Sequence, residues 1–271
     1  MVSFPPCKIN LGLHIINKRP DGYHNLETCF YPVPWTDILE IVPADAAAFT
    51  CSGNLIPGIP EGNLCVKAYD LLRKEFILDP VKIHLHKIIP TGAGLGGGSA
   101  DAAHTIRLLN ELFQLKLSQE KLMAYAAKLG SDCAFFIQDH PMLGTERGGI
   151  LSKISVPLNR KYLVLITPNI HVSTAEAYAG IYPQQPEHSI QHIVSGSITA
   201  WKLLMKNDFE ESVFRKHPAI RKIKEKMYSL GAIYASMSGS GSTVFGIFET
   251  EVNPGNEFPE TTVWSGLLDD H

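Results

Sequence analysis

The sequence predicts an α+β protein of two domains. Three observations carry this expectation. The chain has 271 residues, more than a single core usually serves. Its first forty residues alternate apolar and polar positions, the period of strands, with no helical period between them. A glycine-rich stretch at 90–103 then leads from a strand into a helix that is followed by another helix rather than a parallel strand, so no βαβ unit forms.

The elements follow in order. Cys7 to Ile16 sets Ile9, Leu11, Leu13 and Ile15 against Lys8, Asn10, Gly12 and His14, which predicts a half-buried strand with its polar side chains pointing together. Lys18 to His24 carries Pro and Asp-Gly and reads as a turn. Glu27 to Pro32 and Asp37 to Val42 are strand-like and complete a β-meander. A helix is expected over Asn63 to Phe76, a strand over Val81 to Ile89, and helices over Ala100 to Phe113 and Ser118 to Leu129, the last capped by Ser118. Lys161 to Thr167, with Tyr-Leu-Val-Leu-Ile at its centre, reads as a fully buried strand that starts afresh, placing the domain boundary between 157 and 158. Helices over Ile190 to Met205 and Ala219 to Leu230 lead to a strand pair, Ala232 to Met237 and Thr243 to Phe248, and the last twenty residues read as a loosely packed tail.

Composition narrows the partners. The chain is 45% hydrophobic and 19% charged with a formal net charge of -3. It has no run of five like charges, so neither nucleic acid nor an anionic membrane fits as the main partner. A small-molecule substrate is expected, acting on a monomer or weak homodimer. The five cysteines are odd in number and never spaced as C-x-x-C, which predicts buried reduced thiols in a cytoplasmic protein rather than a disulfide framework. No apolar run reaches the ~20 residues that a membrane span needs.

The most informative stretch is Pro90 to Ala103, where Gly92, Gly94, Gly96, Gly97 and Gly98 put five glycines in seven residues. Backbone without Cβ atoms can turn its amides inward, and a helix starting near Ser99 aims its positive end at the same place; together these hold phosphate. Gly92, Gly94 and Gly97 formally satisfy G-x-G-x-x-G, but a dinucleotide fold needs a parallel strand ending in an acid ~20 residues on, and a helix stands there instead. A phosphate loop of the G-x-x-x-x-G-K-[ST] type fails because Gly98, not Lys, precedes Ser99.

The pattern Pro90, three residues, Gly94-Leu95-Gly96 and small residues opening a helix resembles the GHMP kinase superfamily. Two further motifs stand in that family's order: Lys8-Ile9-Asn10-Leu11, and the glycine-rich run from Ser236 to Phe245. Within the superfamily, Arg19-Pro-Asp-Gly-Tyr-His, the triple glycine and Leu129-Gly-Ser-Asp-Cys-Ala-Phe-Phe resemble the branch acting on a cytidine diphosphate-linked methylerythritol, in non-mevalonate isoprenoid synthesis. Cys7 and Cys133 replace other apolar residues of that branch. The resemblance runs to about Phe248 and implies a ribosomal-protein-S5-domain-2-like N-terminal domain and a ferredoxin-like C-terminal domain.

It also implies roles. Pro90, Thr91, Gly92, Ala93, Gly94, Leu95, Gly96, Gly97, Gly98, Ser99 and Ala100 would bind the phosphates of ATP. Asp132, by itself readable as the N-cap of a helix, becomes the base that accepts the proton of the attacking hydroxyl. Lys8, a cation on a partly buried strand that needs a carboxylate partner, would pair with Asp132. Tyr23 and His24 match the branch's cytidine-binding pair, and Tyr178 offers a second aromatic or a core contact. Asn10 shares a face with Lys8 and is a substrate donor. Ser238, Gly239, Ser240 and Gly241 are a diphosphate grip or a plain hairpin turn. Ser99 is a phosphate or magnesium contact or a helix cap, and Asp101 compensates the helix end or, second, approaches the metal. Mg2+ is expected with ATP, its protein ligands unassigned. His84, His86 and Lys82 share a strand face that reads as solvated rather than zinc-binding. The alternatives are a GHMP kinase for mevalonate, homoserine or a sugar, and a nucleotide-binding regulator without catalysis.

Overall fold

The computed structural model describes residues 1–138 and 140–268. In chain order its elements are β1 (Val2–Ser3), β2 (Pro6–Lys18), β3 (His24–Thr36), β4 (Ile38–Pro43), β5 (Ala48–Gly53), α1 (Leu64–Arg73), β6 (Val81–Lys87), α2 (Gly97–Leu112), α3 (Gln119–Leu129), β7 (Met142–Glu146), β8 (Ile150–Lys153), β9 (Tyr162–Pro168), α4 (Thr174–Ala179), α5 (Ile190–Val194), α6 (Ile198–Leu204), α7 (Phe209–Lys216), α8 (Pro218–Ser229), β10 (Tyr234–Met237), β11 (Val244–Phe248) and β12 (Thr261–Leu267). They group into two compact units, neither continuous in sequence. The first draws on Met1–Cys7, Pro34–Thr91 and a stretch beginning at Gly96; the second on Lys8–Val33, Gly92–Leu95 and a stretch beginning at His140.

The first unit is a sheet in the order β1-β4-β6-β5 with α1 and α2 packed together. β6 is parallel to β5 and antiparallel to β4. Its alternation places Val81, Ile83, Leu85 and Lys87 inward, while His84 and His86 stay part-exposed and bond to the hydroxyls of Thr50 and Ser52. Cys65, Ala68, Tyr69 and Leu72 on α1 are buried at the i, i+3, i+4, i+7 spacing of one helical face. Asn63 starts that helix, its side chain accepting from the Cys65 amide at 2.8 Å.

Lys87 extends the inward face of β6, and its ammonium is buried between two carboxylates. It donates to Asp37, at the entry to β4, and to Asp101 on α2 at 2.8 Å. The other Asp37 oxygen accepts the amides of Ile88 at 2.6 Å and Ile89 at 2.8 Å. The side chains of Lys87, Asp37 and Asp101 are 2%, 0% and 3% exposed, so each charge depends on the others for compensation. Burial would lower the Lys87 pKa, but the two carboxylates outweigh it and the pKa is raised. Asp101 is pushed up to about 7 by burial, with Lys87 opposing and Asp37 adding to the rise.

The second unit holds two sheets, in the orders β2-β3-β7-β8 and β10-β11-β9-β12; the first two residues of β2 and the last three of β3 belong to the first unit. In the latter sheet β9 and β10 are both antiparallel to β11, hence parallel to each other, and α4 to α8 lie between them in sequence. That is a split βαβ crossover, and with β12 antiparallel on the other side of β9 it gives the expected ferredoxin-like order. The second crossover, from β11 to β12, carries only a 3₁₀ turn, Gly255–Glu257. Val213, Phe214, Ile220 and Met227 of α7 and α8 share a core cluster with Val164, Ile166, Val244 and Phe248 of the sheet.

Several expectations change. The helix over Ile190 to Met205 is two helices, because Gly196 interrupts it and Ser197 caps the second. Asp37 to Val42 does not extend the meander: β4 pairs with β1 and β6 in the other sheet. The tail is not loose, since β12 forms a full ladder with β9 from Thr261↔Pro168 to Leu267↔Tyr162; residues 269–271 lie outside the described residues. All five cysteines are free thiols, but Cys51 is exposed because β5 ends its sheet. Among the described residues no helix is long and apolar enough to cross a membrane.

Two outcomes follow from the buried charges. Asp37→Ala leaves Lys87 short of a counter-charge and two backbone amides without an acceptor, and is expected to cost about 3–5 kcal/mol in denaturant unfolding. Asp101 holds its proton more tightly folded than unfolded, so its contribution makes stability fall as pH rises from about 4 to about 7. Asp101→Asn is expected to flatten that fall when unfolding is followed across the same range.

Candidate functional site

In the second unit the Gly94 carbonyl gathers the predicted residues. It accepts from the Lys8 ammonium at 3.0 Å and from the Ser238 hydroxyl at 2.9 Å. Lys8, 3% exposed, also donates to Asn10, confirming that the strand alternation sets the two on one face. The Asn10 amide in turn donates to Thr28 on β3 at 3.0 Å, and Thr28 to the Gly12 carbonyl at 2.6 Å. The Lys8 amide bonds to Leu95 O at 2.9 Å, and Thr243 N to Ala93 O at 3.1 Å. Gly92, Ala93, Gly94 and Leu95 are thereby pinned between β2 and the turn that joins β10 to β11.

The close approach requires glycine. A Cβ on Gly94 would lie 2.1 Å from Ser238 O, and φ is +79° there. Across the gap, a Cβ on Gly239 would stand 3.2 Å from the Asn10 Oδ1 and 3.5 Å from the Lys8 ammonium. The Ser238–Ser242 segment is a hairpin turn, closed by Gly241 N to Ser238 O and Ser238 N to Thr243 O, each 2.9 Å. Asn207, which sequence reasoning missed, supports the turn from behind by donating to Met237 O at 2.7 Å and Gly239 O at 2.8 Å. Ser240 is the half-buried residue of the turn, while Ser238, Gly239 and Gly241 are buried.

A second grouping is aromatic. The His24 ring stacks on Tyr178 of α4 with centroids 4.9 Å apart and planes at 24°, and Tyr178 meets Phe209 edge-on at 4.8 Å. Tyr178 is half-buried and makes the core contact expected as one of its two roles, through Phe209, while its other face meets His24. Burial lowers the His24 pKa and the Lys18 charge adds to this, favouring the neutral ring. Tyr23 stays 53% exposed, with the Arg147 guanidinium 3.5 Å from its ring centre.

In the first unit, α2 begins at Gly97, three residues before the expected Ala100. Gly96, at φ +69°, is its N-cap, and no side chain caps it. Ser99 is thus inside the first turn rather than a cap, its hydroxyl beside the Cys133 thiol. Gly97 and Ala100 are buried against the unit's core, and Thr91 and Gly98 are exposed. The helix's leading amides are where its partial positive charge concentrates. Asp101 does not compensate the helix end; it is the buried partner of Lys87.

Asp132 is half-buried and does not start an α-helix. Gly130 ends α3 and a tight turn over 131–134 leads into the 3₁₀ segment Phe135–Ile137. The N-cap role fails, because there is no helix for Asp132 to cap; Ser131 donates to its carboxylate at 3.3 Å. Burial first, with the Asp132 charge adding, pushes the Cys133 thiol up to about 11, so the thiol is inert beside it.

One cavity of this unit was not foreseen. It has a volume of about 520 Å³ and is walled by Phe49, Ile56, Ile59 and Leu64 on its apolar side and by Asn63, Lys87, Thr91 and Gly98 on its polar side. An apolar chamber with a few polar groups beside a helix N-terminus suits a planar base attached to phosphate. Thr91 and Gly98 of this lining were expected to meet the phosphates of ATP; the apolar wall and Lys87 carried no signal in the sequence.

Comparison with known proteins agrees with this geometry. Residues 63–141 match the family pattern of the GHMP kinases N terminal domain and residues 189–256 that of the GHMP kinases C terminal domain. The chain is 56% identical to a Cytophaga hutchinsonii protein named 4-diphosphocytidyl-2-C-methyl-D-erythritol kinase, over 93% of each chain. It is 53% identical to the Bacteroides thetaiotaomicron protein of the same name, over 96% of this chain and 95% of that one. A solved structure of 4-(cytidine 5'-diphospho)-2C-methyl-D-erythritol kinase superposes with a TM-score of 0.84 at 29% identity, covering 100% of both chains. A homoserine kinase from Cytophaga hutchinsonii shares the fold, with a TM-score of 0.66 at 18% identity over 97% of this chain and 94% of that one. Full-length similarity at these levels leaves one assignment: the chain belongs to the GHMP kinases, in the branch of its relatives named 4-diphosphocytidyl-2-C-methyl-D-erythritol kinase.

Proposed function

We propose that this chain transfers the γ-phosphate of ATP to the 2-hydroxyl of 4-diphosphocytidyl-2-C-methyl-D-erythritol, a step of non-mevalonate isoprenoid precursor synthesis. The observation that carries it is the 56% identity to a relative of that name across almost the whole chain. The site geometry supports it, and rival alcohols have no comparable support.

ATP is the phosphate donor. Its adenosine occupies the cavity walled by Phe49, Ile59, Leu64 and Lys87, and its phosphates lie against the backbone of Pro90 to Ala100. Phosphoryl transfer asks the protein for alignment, charge stabilisation and a proton acceptor. Asp132, set in a turn rather than spent on capping, accepts the proton as the substrate oxygen attacks phosphorus. Lys8, held by Asn10 and Gly94 O, stabilises the charge that develops on the oxygens of the transferred group. Its pairing with Asp132 remains part of the proposal. Tyr23, His24 and Tyr178 take the cytosine, and Ser238 to Gly241 take the substrate's diphosphate through the Ser240 hydroxyl and the turn's backbone.

Magnesium enters with the nucleotide. Among the described residues no group of three His, Cys, Asp or Glu side chains is assembled to hold a metal ion. This fits an ion bound chiefly through substrate phosphates, whose charge it offsets. The five free thiols support a cytoplasmic setting, and a monomer or weak homodimer suffices for the reaction. A partition of the sequence at 157/158 is supported by the two family patterns, which fall on either side of it.

ADP release measured with Mg-ATP and a panel of 4-diphosphocytidyl-2-C-methyl-D-erythritol, mevalonate, homoserine and galactose tests the assignment. Turnover is expected with the cytidine substrate alone; turnover with another alcohol instead overturns it. Asp132→Asn is expected to lower kcat by about 10²–10⁴ with ADP affinity unchanged, the signature of a lost base.

A further inference from the structure

The turn that carries Tyr23 is held by an unusual number of charges. Its backbone is closed by Arg19 N to Tyr23 O at 2.8 Å and Gly22 N to Arg19 O at 3.1 Å, and Asp21 accepts from the Tyr23 amide at 3.1 Å. Arg19 reaches Asp21 at 3.1 Å, Asn25 at 2.9 Å and, outside the turn, Glu146 at 3.5 Å. Glu146 ends β7 with φ +57°, and the next residue, Arg147, lays its guanidinium 3.5 Å from the Tyr23 ring centre. At that distance the planar cation is stacked on the ring. Desolvation of the Asp21 carboxyl is outweighed by the sum of its bonds to Tyr23 and Arg19 and the charges of Arg19 and Arg147, which hold it below its ordinary range.

Two neighbouring residues thus grip one turn with opposite charges. Glu146 takes Arg19, and Arg147 takes Tyr23. The result is an aromatic ring that no core buries, yet whose orientation is fixed: it stays 53% exposed with a guanidinium over one face. A ring has two faces, and the other is left for a planar guest.

We propose that Arg147 is a positioning residue for the nucleobase end of the substrate, covering one face of Tyr23 so that the pyrimidine stacks on the opposite face. The inference rests on the reading that Tyr23 receives the base. An exposed tyrosine without a backing partner samples several rotamers and must give up that freedom on binding; Arg147 removes the freedom beforehand. Because Arg147 touches the base-binding ring and none of the residues assigned to phosphoryl transfer, its effect falls on the capture of the cytidine end.

The test is steady-state kinetics of Arg147→Ala, Arg147→Lys and Tyr23→Ala, with the cytidine substrate and ATP varied separately. Arg147→Ala is expected to raise KM for the cytidine substrate about two- to fivefold, the range of an exposed cation–π contact, with KM for ATP and kcat unchanged. Arg147→Lys is expected to recover part of the loss, because an ammonium also sits favourably over a ring. An unchanged or lowered KM in Arg147→Ala overturns the inference, the latter because Arg147 would then occupy the base's own place. A parallel loss in kcat and both KM values overturns it in favour of a structural role. If Tyr23→Ala itself leaves KM for the cytidine substrate unchanged, the underlying reading of the base site falls and takes the inference with it.

Discussion

One ammonium shared by two buried carboxylates is the constraint on which the first unit depends. Lys87 ends β6, Asp37 stands at the entry to β4 and Asp101 lies one turn into α2, so a single charge cluster fixes the relative placement of two strands and a helix. Apolar packing alone tolerates small slips, because it has no direction; a buried ion cluster does not, since any slip leaves a charge without compensation. The cluster is also unbalanced. One oxygen of Asp101 has no hydrogen-bond partner and the group holds its proton to about pH 7. The same Lys87 lines the cavity beside the start of α2, so the group that secures the fold also shapes the wall of the cavity proposed for the nucleotide.

The second unit uses a neutral hub instead. The Gly94 carbonyl takes one hydrogen bond from a charged residue near the N-terminus and one from a serine in the C-terminal hairpin. Three sequence motifs separated by more than two hundred residues therefore converge on one oxygen. The spacing among them leaves no room for a Cβ at Gly94, and little at Gly239. These glycines serve the packing of one loop on another, whatever part they take in the proposed phosphate binding.

Much of this was legible in the sequence, for physical reasons that also explain the omissions. The alternation around Lys8 and Asn10 put both side chains on one face, but it predicted a half-buried strand and both faces of β2 are buried. In β6 the alternation does follow burial, and Lys87 falls on its inward face. Asp37 gave no such signal, because its partners lie 50 and more residues away and a lone acid after Trp-Thr looks like any turn. Gly196 was read through because one glycine in a helical pattern is usually tolerated, yet here it is followed by a capping serine. The tail was misread since Pro, Gly and acids around 251–260 hid a strand whose stabilisation comes wholly from pairing with β9. Arg147 was invisible for the opposite reason: its contact is with a residue more than one hundred positions earlier, on an exposed turn with no periodic pattern.

The discontinuity of the two units bears on how the chain is made. β2 is made long before the segments that complete its bonding: the Ile15 amide waits for the carboxylate of Asp208, 193 residues on, and the Leu13 amide for the carbonyl of Lys206. The sheet of the ferredoxin-like half is completed later still, when Thr261 to Leu267 arrive beside β9. During synthesis an apolar strand carrying Ile9, Leu11, Leu13 and Ile15 must persist without its final neighbours, the condition in which nascent chains depend on chaperone cover. Long-range closure of this kind slows folding, because loop entropy is lost before the distant contacts repay it. A unit whose strand β2 is sealed by residues near 206–208 is committed to closing only after that stretch has been made, whereas the first unit draws on no residue beyond 139.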